Sequence, residues 1–172
     1  LREDDFTPGQ VSPSAGRATV EYIRAALAAV ESGLTSAVVA APHSETAINS
    51  AGIPFAGYPS LLSELGGHGD PVFLLLVHDT LRISHVTLHC SVREALDQLN
   101  AGLVERAIVA TDYALRRMGV DRPRLGVFGI NPHAGEGGLF GDEDIRVVAP
   151  AVAEAVRQGI DVTGPTGCDV LL

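Results

Sequence analysis

Two histidines stand where imidazole can act on a ligand. His89 closes the run LRISHVTLH, and His133 sits inside GINPHAGEGGLFGDEDI, between Pro132 and a cluster of glycines. Neutral imidazole nitrogens bind divalent transition metals, but two of them fall short of the three protein ligands usual at a catalytic zinc-like site. A third ligand must come from elsewhere. The ordinary alternative for a histidine at a strand end is a hydrogen-bonded surface or packing role, because imidazole tolerates both environments. His68, His78 and His85 are assigned that role.

The glycines of AGEGG allow positive φ and close backbone approach, which suits a loop wrapped around an oxygen-rich ligand. Their spacing matches neither the dinucleotide G-x-G-x-x-G element nor a Walker A loop, and a flexible turn fits them equally well. Glu136 can orient an imidazole or sit in solvent. Asp142, Glu143 and Asp144 read most simply as the amino terminus of a helix, where carboxylates meet unpaired N–H groups.

These side chains need elements to hold them. Val20, Ile23, Ala26, Leu27 and Val30 recur at helical spacing, with Gly33 as the stop before a β-rich SAVVAAP. Ser44 caps a short helix ending at Gly52. Val72–Val77 and Leu81–Leu88 read as a hairpin whose second strand delivers His89. Ser91 and Glu94 form a capping-box pattern ahead of helical sequence reaching Met118, with an interruption near Gly102. RLGVFGI is a compact apolar strand. DEDIRVVAPAVAEAVRQG is a helix that Pro150 must break or restart near Val148. IDVTGPTGCDVLL begins as a strand and turns at Gly164 and Pro165. Helices alternating with strands predict an α/β fold, a mostly parallel sheet with flanking helices. If the strands before His89 and His133 are parallel, right-handed crossover brings both to one edge of that sheet, where open α/β proteins bind ligands.

Composition sets limits on partners. A chain of 172 residues that is 46% hydrophobic and 19% charged is an ordinary globular domain. Twelve basic against 21 acidic residues, a net charge of -9, argue against nucleic acid, so a pocket for a small anion must supply its own positive groups. No apolar run approaches the roughly 18 residues of a membrane span. The acidic start LREDDFTPGQ lacks an initiator Met and reads as no targeting segment, with residues expected upstream. Cys90 and Cys168, far apart and without a CxxC partner, read as reduced thiols of a cytoplasmic protein.

The blocks PHSETAINSAGIPFAGYPSLLSE, LRISHVTLH, LGVFGINPHAGEGGLFGDEDI and GIDVTGPTGCD, taken in order, resemble the 4-hydroxythreonine-4-phosphate dehydrogenase family. NPHAGEGG is the most specific of them. The resemblance implies an isocitrate/isopropylmalate dehydrogenase-like fold, of which residues 1–172 are the central portion, with flanking N- and C-terminal segments absent. It also implies NAD or NADP as cofactor, one divalent metal ion (Zn, Mg, Mn, Co or Fe), and a homodimer with its site at the interface. Family metal histidines fall on His89 and His133, and a family aspartate at the catalytic site falls on Asp169. The third histidine is expected beyond Leu172, so the piece alone is expected to be inactive.

Departures from the family pattern bear on substrate. Tyr58 and Pro59 stand where the phosphate-substrate enzymes have a substrate-contacting His-Thr pair, and Glu45 replaces a lysine. A phenol, an imide ring without N–H and a carboxylate are poor partners for a phosphorylated amino acid. The chain resembles instead the branch that oxidises terephthalate-derived dihydrodiol dicarboxylates, with decarboxylation to protocatechuate. Tyr58, Pro59 and His43 are then candidate substrate contacts, although Tyr58 also suits packing and His43 suits capping of local backbone groups. Arg82 can neutralise a substrate carboxylate or form a surface ion pair. The alternatives are a 4-hydroxythreonine-4-phosphate dehydrogenase-type oxidoreductase and a noncatalytic metal- or carboxylate-binding domain.

Overall fold

The computed structural model describes residues 6–67 and 71–171. His68 and the acidic stretch at residues 1–5 lie outside them. The chain divides into two compact units, Leu1–Val72 and Phe73–Leu172.

The first unit is built on helix α1 (Pro13–Glu31), α2 (Glu45–Ser50) and α3 (Tyr58–Gly66). Ser12 starts α1 by accepting the Ala15 N–H at 3.2 Å, with Pro13 in the first turn, where its missing N–H costs nothing. Ser44 caps α2 in the same way, through Ala47 N–H at 3.2 Å. The apolar stripe of α1 buries Val20 and Ile23 against Ile48, Phe55 and Leu61, with Leu27 packed at the margin. Gly16 permits the closest approach, since a Cβ there would overlap the carbonyl of Ala47. SAVVAAP carries neither helix nor ladder among the described residues, and Val39 is 97% exposed. A β-branched run becomes a strand only where a neighbour takes up its N–H and C=O groups.

In the second unit, β1 (Leu74–His78) and β2 (Leu81–His85) form the expected antiparallel hairpin, turning at Asp79, whose φ is 48°. The Ser91–Glu94 capping box is complete: Glu94 N–H donates to Ser91 Oγ and Ser91 N–H to Glu94 Oε2 at 2.8 Å, opening α4 (Val92–Gln98). Helical sequence breaks at Leu99 and restarts at Asn100, the cap of α5 (Ala101–Arg117). Asp112 and Arg116 on α5 form a two-bonded ion pair, 2.8 and 3.1 Å. β3 (Leu125–Phe128) and β4 (Val162–Thr166) pair in parallel, and the segment joining them ends in α6 (Ala149–Arg157). Pro150 is accommodated by a wider π-helical turn over Asp144–Val148, so the helix changes type near Val148 rather than running as one rod. β4 continues through Gly164 and Pro165, where a turn was expected, and a short α7 (Cys168–Leu171) follows. Val104 and Ile108 of α5, Val148, Ala151, Val152 and Ala155 of the π turn and α6, and Val162 of β4 form this unit's core.

The expected α/β architecture, a mostly parallel sheet with flanking helices, is therefore corrected. Among the described residues the chain is mostly helical, with two two-stranded sheets, one antiparallel and one parallel. Alternating helix-like and strand-like sequence does not specify which strands find partners. SAVVAAP finds none, and β2 pairs back on β1.

Candidate active site

The parallel pair sets the site. Phe128 is registered with Thr166, and Gly129 N–H donates to the Thr166 carbonyl at 2.9 Å, so the carboxyl ends of β3 and β4 finish side by side. The chain leaving β3 carries His133 and the chain leaving β4 carries Asp169. His133 Nδ1 lies 4.0 Å from Asp169 Oδ2, and both side chains are open to solvent. Parallel strands bring the two together across a helical crossover, the arrangement that was expected to unite His89 and His133 instead.

His133 stands on an unusual backbone. From His133 through Gly138 six consecutive residues have positive φ, including His133 (51°), Ala134 (52°) and Glu136 (43°). A left-handed turn costs an L-residue roughly 1–2 kcal/mol at each position, so three non-glycine residues held there must be constrained by their surroundings. Glycine supplies the room for it. A Cβ on Gly129 would stand 2.7 Å from Ala134 Cα, one on Gly135 2.7 Å from the Gly141 carbonyl, and one on Gly167 2.6 Å from Asp169 Oδ1. The AGEGG glycines thus lie within a defined left-handed turn.

Two carboxylates hold the residues just ahead of the turn. Asp144 is fully buried and accepts the N–H of Ile130 at 2.7 Å, the N–H of Asn131 at 3.0 Å and the Asn131 side-chain amide at 3.2 Å. Glu143 accepts the same amide at 2.8 Å, and that bond holds its carboxyl below the usual glutamate range. Both were expected to serve as a helix amino terminus. One signal in the sequence points to the buried role: Asp144 lies on the stripe of Val148, Ala151 and Ala155, all in the core, so a charged side chain occupies an inward position.

His89 also has positive φ, 48°, but β2 ends at His85 and belongs to the antiparallel hairpin, so the shared sheet edge predicted for His89 and His133 is not formed. Arg82 donates through Nη1 to the Thr80 carbonyl at 2.8 Å. In the first unit, His43 packs edge-on against Phe55 and Tyr58, with centroids at 4.9 and 4.3 Å, and its Nε2 lies 3.9 Å from Glu45. Tyr58 donates its hydroxyl to the Ala41 carbonyl at 2.9 Å, which commits that proton to the fold. Pro59 occupies the first turn of α3, where no N–H is needed.

The family model described as pyridoxal phosphate biosynthetic protein PdxA matches residues 1–172. The chain belongs to the PdxA family. It is 52% identical over 165 residues to 1,2-dihydroxy-3,5-cyclohexadiene-1,4-dicarboxylate dehydrogenase of Comamonas sp, covering 95% of this chain and 52% of that one. The crystal structure of 4-hydroxythreonine-4-phosphate dehydrogenase from Klebsiella pneumoniae superposes with a TM-score of 0.83 at 40% identity, covering 98% of this chain and 50% of that one. The terephthalate 1,2-cis-dihydrodiol dehydrogenase structure from Burkholderia xenovorans LB400 gives a TM-score of 0.71 at 46% identity, covering 99% and 55%. The chain thus spans about half the length of the PdxA-family relatives it matches.

The metal that PdxA-family resemblance implies can be tested against the donors present. Among the described residues no group of three or more His, Cys, Asp or Glu side chains is gathered closely enough to hold one. His133 and Asp169 offer one nitrogen and one oxygen donor, an incomplete set. No described helix is long and apolar enough to cross a membrane.

Proposed function

We propose that the protein is an NAD(P)-dependent dehydrogenase of the 4-hydroxythreonine-4-phosphate dehydrogenase type, oxidising a hydroxyl group of a small carboxylate substrate. The observation that carries this reading is the pairing of His133 with Asp169 at the ends of two parallel strands, within the segments that resemble the family's site. The Asp169 carboxylate, set beside the His133 imidazole, can take the hydroxyl proton as the carbon–hydrogen bond breaks. The nicotinamide supplies the hydride acceptor. Asp169 is the catalytic carboxylate of this proposal, and His43, Tyr58 and Pro59 are its substrate contacts.

Within that type, a dihydrodiol dicarboxylate is the substrate that Tyr58, Pro59 and Glu45 support, because they remove groups suited to a phosphate ester. Its support among relatives is the 52% identity to an enzyme named for that substrate. Oxidation of such a diol gives a ketone β to a carboxylate, whose loss as carbon dioxide leaves an aromatic catechol. The competing substrate is the phosphorylated hydroxythreonine of the Klebsiella pneumoniae relative.

The deciding experiment measures kcat/KM for both substrates with each nicotinamide in the intact protein. Nicotinamide reduction by neither substrate would reject the dehydrogenase reading, and a preference for the phosphate ester would reject the dihydrodiol branch. Roles for His89 and His133 as ligands of a divalent cation, a homodimeric site and a cytoplasmic location belong to the same proposal. Calorimetric titration of His89→Ala and His133→Ala tests the first of these, and wild-type affinity for Mg, Mn, Co and Zn ions in both would dismiss it.

A further inference from the structure

A fully buried carboxylate is costly unless its oxygens are matched by donors. Asp144 meets that requirement with three N–H groups, and all of them belong to Ile130 and Asn131, two of the three residues that link β3 to the His133 turn. We propose that Asp144 is a positioning residue for the site. Its carboxylate anchors Ile130 and Asn131 and so fixes where the left-handed turn begins and where His133 stands opposite Asp169. This inference rests on the reading above, in which His133 and Asp169 belong to the reacting site.

The chemistry of the anchor is specific to a carboxylate. Both oxygens only accept, and one faces the Ile130 N–H while the other faces two N–H donors of Asn131. An amide of the same size would turn an NH2 group toward one of those donors. The backbone beyond the anchor is held against its local preference at His133, Ala134 and Glu136, so slackening it lets these residues return toward negative φ. His133 is displaced directly by that motion. Substrate contacts elsewhere in the chain are not, so the loss falls on turnover before it falls on binding.

The test uses Asp144→Asn in the intact protein, with His133→Ala as reference. Hydrogen exchange at the Ile130 and Asn131 amides is expected to accelerate at least about tenfold while α5 amides keep their protection. In the same folded sample kcat is expected to fall at least about tenfold with KM within about threefold. Wild-type exchange at those two amides, or wild-type kcat, overturns the proposal. So does a loss of kcat that merely tracks the unfolded fraction on warming. Should Asp144→Asn fail to fold, Asp144→Glu keeps an acceptor-only head: faster exchange at Ile130 and Asn131 together with lowered kcat supports the anchor, and lowered kcat with wild-type exchange overturns it. Wild-type turnover in His133→Ala would instead defeat the reading of the site, while exchange at Ile130 and Asn131 would still report on the anchor.

Discussion

His133 Nδ1 and Asp169 Oδ2 lie 4.0 Å apart although α6 and β4 intervene between them in the chain. Both side chains are 61% exposed, so this pair adds little to folding: exposed ion pairs contribute roughly 0–1 kcal/mol. A contact that adds so little stability, carried on a turn that opposes three residues' conformational preferences, is better explained by what it does to a ligand.

Asp169→Asn is therefore expected to leave the thermal midpoint nearly unchanged and to lower kcat by about 10²-fold, the range for loss of positioned acid–base help. Calorimetry and steady-state kinetics on the same sample check it. An unaltered kcat would assign Asp169 to the surface.

Glu136→Gly separates strain from function. Glu136 is exposed and has φ 43°, so glycine relieves about 1 kcal/mol of left-handed strain, partly offset by the freer unfolded chain. A small gain in stability, up to about 1 kcal/mol by urea titration, is expected. If activity falls while stability rises, Glu136 acts on the ligand or on His133; if both are unchanged, the turn is held without strain at this position.

The pH dependence of the turn follows from Glu143. Its carboxyl is held below the ordinary value of 4.5, first by the bond from the Asn131 amide. A depressed carboxyl favours the folded state above its unfolded value, and that contribution is lost as pH falls through the lower folded value. Acid should loosen the Asn131 side chain below about pH 4.5, and Glu143→Gln should remove this dependence while retaining an oxygen to accept the bond. Side-chain amide resonances of Asn131 followed down the pH scale report it, and identical profiles in both proteins would exclude Glu143.

Local chemistry was legible in the sequence where it acts within a few residues. The Ser91–Glu94 capping box forms, and the hairpin turns at Asp79 although its second strand ends at His85 rather than Leu88. Partner choice was not legible, because Val38 and Val39 have the same strand propensity as Val127, yet only Val127 has a neighbouring strand to pack beside. NPHAGEGG singled out His133 as a candidate but not its backbone: glycines permit positive φ without requiring it, and Asp144, which accepts from Ile130 and Asn131 just ahead of the turn, stands 11 residues beyond His133. A buried acid on an apolar helical stripe was the available sign.

Tyr58 allows the proposed substrate contacts to be dissected. Its hydroxyl donates to the Ala41 carbonyl at 2.9 Å, while its ring lies edge-on to His43 and Phe55. A phenol already engaged with the backbone has no second proton to give, so recognition through Tyr58 must use the ring or a hydroxyl lone pair. Tyr58→Phe is expected to cost about 0.5 kcal/mol, the low end for an exposed hydrogen bond, and to leave KM within about twofold. Tyr58→Ala removes the ring that flanks His43 and should raise KM for the dihydrodiol dicarboxylate by about tenfold or more, by loss of both contact and orientation. Kinetics on the two variants distinguish the roles. A Tyr58→Phe protein whose KM rises as far as that of Tyr58→Ala would mean that the hydroxyl leaves Ala41 to meet the substrate.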